Sequence, residues 1–279
     1  MDKLLIIDGH NLLFQMFYGM PNHFYGKNDK PIWATFGFVG ALSKMIGMVN
    51  PTHLLVVFDG EVLNERSLLL EEYKSNRKDF NNVSIDENPF IQLADIYKCL
   101  DYLNINYYET TSVETDDIIA GYVNKYKDIE IIIASNDTDF YQLIDENVSI
   151  LKYKGKNSVI LKEEDIFARF GVYPYQYADF KSLVGDSADC IKGIPLIGVK
   201  TASKLLLEYN SIDCILENLD SIKNEKIRTN IINFKERLLV NYKLIYLDYN
   251  GILPYDFNEL LYKKYSISSK ELLKILDIL

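Results

Sequence analysis

Apolar residues cluster in short runs along the first part of the chain, and the runs alternate with stretches of helical spacing. Lys3–Ile7, Leu54–Phe58, Ile105–Tyr108 and Glu130–Ala134 read as strands. Ala34–Val49 carries apolar residues at Phe38, Ala41, Leu42, Met45, Ile46 and Val49, a helical period that Pro51 stops. A second helix is expected over residues 88–103, and a third opening at Ser112–Glu114 and running through Val123. Continuous apolar strands separated by helices predict an α/β fold, with a largely parallel sheet covered by helices on both faces.

The pattern changes twice. Residues 61–88 favour helix but are heavily charged, with Arg66, Lys74, Arg77 and Lys78 in one segment. The plain reading is a solvated helix face; the functional one is a basic lid or arch that leaves the sheet just after Asp59. Past about residue 162 strands are expected to stop. Lys162–Phe170, Tyr175–Leu183, Val199–Tyr209, Ile212–Asn218 and Glu225–Tyr242 all favour helix. The glycines and proline of Gly185–Ala202 predict a tight turn between two helices. The expected division is an α/β domain over 1–165 and a helical region over 166–279.

Nine acids fall at the strand ends and helix starts: Asp8, Asp59, Glu114, Asp116, Asp117, Asp137, Asp139, Asp186 and Asp189. Strand carboxyl ends are where open α/β sheets build their sites. Carboxylates crowded together repel unless hard cations neutralise them. Each acid alone has an ordinary explanation as a turn former, a helix cap or a first-turn acid at the positive end of a helix dipole. Their combination points to Mg²⁺ or Mn²⁺, because no histidine or cysteine cluster offers zinc a home. Two such ions about 4 Å apart activate water and relieve charge on a leaving oxygen in phosphodiester hydrolysis. The glycine turn before Val199 would offer backbone N–H groups to a phosphate, with Lys192, Lys200 and Lys204 adding charge. A helix–turn–helix corner with incidental lysines is the competing reading.

Bulk properties narrow the field. A chain of 279 residues with 48% apolar content is long enough for one large domain or two modest ones. Its net charge of −10 argues against nucleic-acid binding by the whole surface but leaves room for a local basic track. Cys99, Cys190 and Cys214 are too few and too far apart for a disulfide framework. The first residues do not form a signal peptide and no run spans a bilayer, so a cytoplasmic protein is expected. His10, beside Asp8, is the least ordinary of the histidines. Phe17 and Tyr18 are core residues on base rates, with base stacking as the alternative. No glycine-rich phosphate loop follows the first strand, which disfavours a Rossmann-type cofactor role.

Taken in order, Ile7–Gly9, Val57–Gly60, Arg66 with Tyr73, Lys74 and Arg77, Val113–Asp117, Ser135–Leu143 and Gly185–Ala202 resemble the bacterial 5′→3′ exonuclease and flap endonuclease family. That family includes the 5′-nuclease domain of DNA polymerase I and stand-alone relatives. The resemblance covers nearly the whole chain, and the absence of a polymerase region makes a stand-alone nuclease the expectation. It implies a first metal cluster of Asp8, Asp59, Glu114 and Asp116, a second of Asp137, Asp139, Asp186 and Asp189, and Asp117 in the same acidic group. It implies arch residues Arg66, Tyr73, Lys74 and Arg77, with Lys74 stabilising transition-state charge. It further implies a helix–three-turn–helix element near 183–208 that holds duplex DNA through Lys192, Gly193, Gly198, Lys200, Thr201 and Lys204. DNA with a 5′ flap, 5′ end or nick is the implied partner, with RNA–DNA hybrid as an alternative, and the protein is expected to be a monomer. Three positions depart from the family pattern: Gln15 stands for an arginine, Cys190 for an asparagine, and Leu196 for the first glycine of a Gly-x-Gly hairpin. A PIN-type ribonuclease and a catalytically inactive DNA-binding module are the competing readings.

Overall fold

The structure, a computed structural model, describes residues 2–60, 65–70, 72–80, 82–263 and 269–275. The chain begins with β1 (Lys3–Asp8), α1 (Gly9–Gly19), α2 (Trp33–Val49) and β2 (His53–Phe58). It continues through α3 (Glu65–Leu69), α4 (Leu93–Tyr102), β3 (Tyr107–Glu109), α5 (Thr115–Lys125) and β4 (Glu130–Ala134). Then come β5 (Val148–Lys152), β6 (Val159–Leu161), α6 (Glu163–Phe170) and α7 (Tyr177–Val184). The short pair β7 (Gly185–Asp186) and β8 (Ile191–Lys192) precedes α8 (Val199–Tyr209), α9 (Ile212–Glu217), α10 (Glu225–Asn233), α11 (Lys235–Ile245) and α12 (Ser269–Ile275).

The main sheet runs β3-β2-β1-β4-β5-β6, parallel except for the antiparallel edge strand β6. Its two faces feed separate cores. Leu4, Ile6, Leu55, Val57, Ile131 and Ile133 pack on one side with α5, α7 and the later helices. Leu5, Ile7, Leu54, Val56 and Phe58 pack on the other with α1, α2 and α4. This is the period-2 alternation of strands buried on both faces. The first of these cores is continuous into α8–α11, so the helical part is packed onto the sheet and shares its interior.

Several expectations need correction. The helix expected over 88–103 starts as a 3₁₀ turn, Pro89–Gln92, before α4. Asn88 caps that turn by accepting from the Phe90 N–H at 2.9 Å. The strand expected at Ile105 begins at Tyr107, because Asn104 turns the chain at φ 51° after the helix end. Glu225–Tyr242 is two helices with Phe234 between them at φ −112° and ψ 20°. Strands do not stop at 162, since β7 and β8 form a two-stranded pair. In the expected arch, residues 61–64, 71 and 81 lie outside the described residues. The described part is α-helical only at Glu65–Leu69, with a 3₁₀ turn at Ile85–Glu87, and the turn that follows α3 sets Lys74 at φ 55°.

Asp59 and Gly60 turn off β2 tightly. The Gly60 N–H donates to Thr110 Oγ1 at 3.0 Å, and the Thr110 N–H to the Phe58 carbonyl at 2.9 Å. A Cβ at Gly60 would lie 1.8 Å from the Thr110 carbonyl oxygen. Gly60→Ala is therefore expected to cost about 2–4 kcal/mol in urea unfolding. Gly40→Ala, in α2 with nothing within 4 Å of its would-be Cβ, should instead be neutral or stabilise by up to about 1 kcal/mol.

Candidate metal and phosphate site

The parallel strands bring their carboxyl ends to one edge, and the acids follow from that. Asp8 closes β1 and caps α1, accepting from the Asn11 N–H at 3.0 Å and the Ser135 hydroxyl at 2.8 Å. Asp59, just past β2, accepts from the Thr115 N–H at 2.9 Å, the first residue of α5. The Asp59 N–H donates to His10 Nδ1 at 2.8 Å, which holds the ring against the end of β2. Glu114 caps α5 in a capping box with Asp117.

Arg66 and Lys74 converge on Glu114. The Arg66 guanidinium bonds Glu114 at 2.5 Å and Asp117 at 2.6 Å, and the Lys74 ammonium bonds Glu114 at 2.5 Å. The second Asp117 oxygen accepts from the Glu114 N–H at 3.2 Å, so both of its oxygens are engaged within the helix start. Asp116 stands between the clusters. Burial raises its pKa well above the ordinary carboxylate range, and repulsion from Asp137, Asp59 and Asp8 adds to the rise.

Asp137 follows β4 and accepts from the Asp139 N–H at 2.9 Å. Asp139, Asp186 and Asp189 form a group whose carboxylate oxygens lie within 4.8 Å of one another. Lys181, buried on α7, reaches into this group and pairs with both Asp139 and Asp186. Burial alone would lower its pKa, but the two carboxylates outweigh that and keep it charged. Lys181 was not anticipated. In sequence it is one lysine on a short, mostly buried helix, and only the fold turns it toward the acids.

The arch base is docked on the turn that bears the last acids. The Lys74 N–H donates to the Asp189 carbonyl at 3.1 Å, and Asn76 to the Ala188 carbonyl at 3.0 Å. Tyr73 is buried among Ala178, Ile191, Leu244 and Ile245. Lys192 is exposed and pairs with Glu72 at 2.8 Å. Arg77 is exposed, and its charge acts on Asp189. Gly193 packs against Val184 and Gly185, closing the turn. Gly198 is the N-cap of α8 and makes no side-chain cap bond, while Lys200 and Lys204 are exposed and Thr201 is half-buried.

The three departures each have a structural counterpart. Gln15 donates to the Tyr153 carbonyl at 2.6 Å and accepts from Asn136 at 3.0 Å, so it braces the β4 loop and carries no charge. Cys190 and Leu196 sit at φ 59° and 65°, conformations that suit asparagine and glycine better. Phe17 is core, packed on Trp33, whereas Tyr18 is 62% exposed and stacks on Phe14.

Residues 3–171 match the 5′-3′ exonuclease N-terminal resolvase-like domain family, and residues 172–268 match the 5′-3′ exonuclease C-terminal SAM fold. The chain belongs to the 5′-3′ exonuclease family. It is 30% identical over 250 residues to a 5′-3′ exonuclease of Buchnera aphidicola subsp. Schizaphis graminum, covering 86% of this chain and 84% of that one. It is 35% identical over 228 residues to a DNA polymerase I of Caldicellulosiruptor bescii, covering 80% of this chain but 26% of the polymerase. The chain thus spans under a third of the polymerase relatives it matches. Its fold is similar to that of a bacteriophage T5 flap endonuclease solved as a pseudo-enzyme–product complex with DNA and metal ions. That similarity has a TM-score of 0.70 at 22% identity and covers 87% of this chain and 88% of the other. Among the described residues, no helix of this family member is long and apolar enough to cross a membrane.

The donor set fits hard divalent cations, being all carboxylate and closely spaced. Burial pushes the Asp8 carboxyl up from 3.8 to about 7, with Asp59 and Asp137 adding to it against the bonds from Asn11 and Ser135. The metal-free native state therefore keeps a proton that the unfolded chain sheds. This contribution destabilises the native state progressively as pH rises from about 4 to about 7. A cation needs the carboxylate form, so its binding near pH 7 should release about half a proton from Asp8, which is half protonated there. Calorimetry in two buffers of different ionisation heat measures that release, and Asp8→Asn should reduce it.

Proposed function

We propose that the protein is a divalent-metal-dependent, structure-specific 5′→3′ exonuclease and flap endonuclease. It hydrolyses phosphodiesters at 5′ ends, flaps or nicks of DNA, with RNA–DNA hybrids as further substrates. The observation that carries this reading is the convergence of acids from three separate chain segments on Asp116, whose carboxyl feels Asp137, Asp59 and Asp8 together. Such crowding is costly without cations. Family membership and the T5 complex with DNA and metal ions support the same conclusion.

In this reading Asp8, Asp59, Glu114 and Asp116 hold one Mg²⁺ (or Mn²⁺), and Asp137, Asp139, Asp186 and Asp189 hold the other. When bound, the ions supply an activated water and neutralise the leaving oxygen. Asp117 positions Glu114 and Arg66 through its two engaged oxygens. Lys74 and Arg66 stand as counterions on Glu114. A scissile phosphate competes with Glu114 for the Lys74 ammonium, which then stabilises charge that grows in the transition state. Arg77 adds to that field. Tyr73 holds the arch base by its buried ring. Lys181 neutralises Asp139 and Asp186 in the metal-free state and yields that role, wholly or in part, to the cation.

Duplex is held away from the cut by Lys192, Gly193 and the start of α8, where Gly198, Lys200, Thr201 and Lys204 offer N–H groups and charge to phosphates. The low cysteine count suits a cytoplasmic protein. We expect a monomer.

The test is a 5′-flap duplex labelled at both ends. Cleavage should occur in Mg²⁺ or Mn²⁺ and stop in EDTA. Asp139→Asn should abolish cutting while retaining binding. Lys74→Ala should slow single-turnover cleavage by about 10²–10³-fold with little change in duplex affinity. Binding without cutting in any metal would sink the enzymatic reading, and preference for single-stranded RNA would favour a PIN-type ribonuclease.

A further inference from the structure

The carboxyl edge of the sheet carries a sequence of charges that stops being acidic on one side. Asp59 follows β2, Asp8 closes β1, and β4 leads to Asp137 and Asp139. The next strand outward, β5, runs parallel to β4 with Leu151 level with Ala134. It ends on Lys152, where its neighbours lead into acids. The Lys152 ammonium donates to the Asn136 carbonyl at 3.3 Å, one residue from Asp137, and lies 4.8 Å from the centre of the Tyr141 ring.

Two further cations gather there. Lys154 is exposed just past β5, and Arg169 is exposed in the last turn of α6, its guanidinium 5.1 Å from the Phe170 ring. The Tyr141 ring under the Lys152 ammonium lies 6.1 Å from the Phe170 ring that carries Arg169, which joins the two positions. Burial lowers the Lys152 pKa and Arg169 lowers it further, against the pull of Asp137. Tyr141, raised by burial, feels Arg169 and Lys154 as well. Its hydroxyl is buried and has no hydrogen-bond partner among the described residues.

Several other cations around the site are already engaged. Arg66 and Lys74 are paired with Glu114, Lys181 with Asp139 and Asp186, and Lys192 with Glu72. Lys152, Lys154 and Arg169 make no ion pair among the described residues. Cations massed without a counterion, in a chain of net charge −10, repel one another until an anion arrives. A nucleic-acid strand with one phosphate at the acids presents its next phosphates at regular short spacing along the edge.

We propose that Lys152, Lys154 and Arg169 form a phosphate cradle that holds the backbone of one DNA strand on the β5 side of the acidic cluster, opposite the arch. This rests on the nuclease reading above and adds a second electrostatic contact to it. The arch side binds the reacting phosphate, and the cradle fixes the direction in which the strand leaves. The contact reads no sequence, because it touches only phosphate.

The experiment measures binding of a 5′-flap duplex in EDTA across a salt series, with the full chain and the variant Lys152→Gln/Lys154→Gln/Arg169→Gln. The slope of log affinity against log salt should become shallower by about 2–3, and affinity near 0.1 M salt should fall about tenfold or more. Single-turnover cleavage at saturating DNA in Mg²⁺ should stay within about 2-fold of the unaltered protein. Lys152→Arg should retain the slope. The pair Lys154→Glu/Arg169→Glu changes exposed positions alone, so it tests the idea without disturbing the fold and should weaken binding more than the glutamine changes do. An unchanged slope in both variants, with the unaltered protein cutting normally, overturns the cradle. A loss confined to DNA with a 5′-terminal phosphate also overturns it, in favour of a strand-end site. Failure of the unaltered protein to bind or cut DNA counts against the nuclease reading itself.

Discussion

Mutual repulsion among carboxylates is the constraint around which this molecule is arranged. A parallel sheet delivers Asp8, Asp59 and the Asp137 loop to one edge, and α5 and the β7–β8 turn bring further acids from outside it. Left alone, that concentration would open the site. The protein answers with a set of internal cations and donors: Arg66 and Lys74 on Glu114, Lys181 on Asp139 and Asp186, backbone N–H groups on Asp8 and Asp59. These contacts keep the acids in place without spending their capacity to accept a harder cation, since ammonium and guanidinium groups are exchangeable partners.

Much of this was legible before any coordinates. The strands β1, β2 and β4 are buried on both faces, so their apolar runs stand out, and each run leads into an acid that the sheet then aligns. Spacing also gave α2, α5 and α8 closely. What escaped is what local pattern does not encode. Helix α1 is an exception, since its buried Gly9, Leu12, Leu13 and Phe17 recur at a helical spacing that the sequence does carry. Strand β6 is an exposed edge with Val159 and Ile160 facing solvent, so no burial pattern marks it. The break at Phe234 is a tertiary choice between two short helices where propensity favoured one.

At the site, residue type says little about what each acid touches. Asp116 and Asp117 are adjacent identical residues, yet one faces the other acids and the second serves the helix cap and Arg66. Nothing in the local sequence marks Lys181 or Lys152, and only the packing of α7 and β5 shows what each faces. Cys190 and Leu196 carry an intrinsic backbone penalty of roughly 1–2 kcal/mol each in the left-handed region. Their retention in the turn means that neighbouring packing, with Ile191, Ile194 and Ile197 buried, holds it regardless.

Tyr73 has a consequence of a different kind. Its ring is seated between α7, β8 and α11, while the next residue reaches Glu114 at the start of α5. One peptide unit therefore spans the two family segments, and it is further tied by the Lys74 N–H to the Asp189 carbonyl. Leu244 and Ile245 lie far along the chain from Glu114, yet they form the socket on which the ammonium's position depends. In the proposed reading, substitution at such remote apolar positions would move the Lys74 ammonium through packing alone, and would look like loss of stability to anyone who sought its effects only among charged residues.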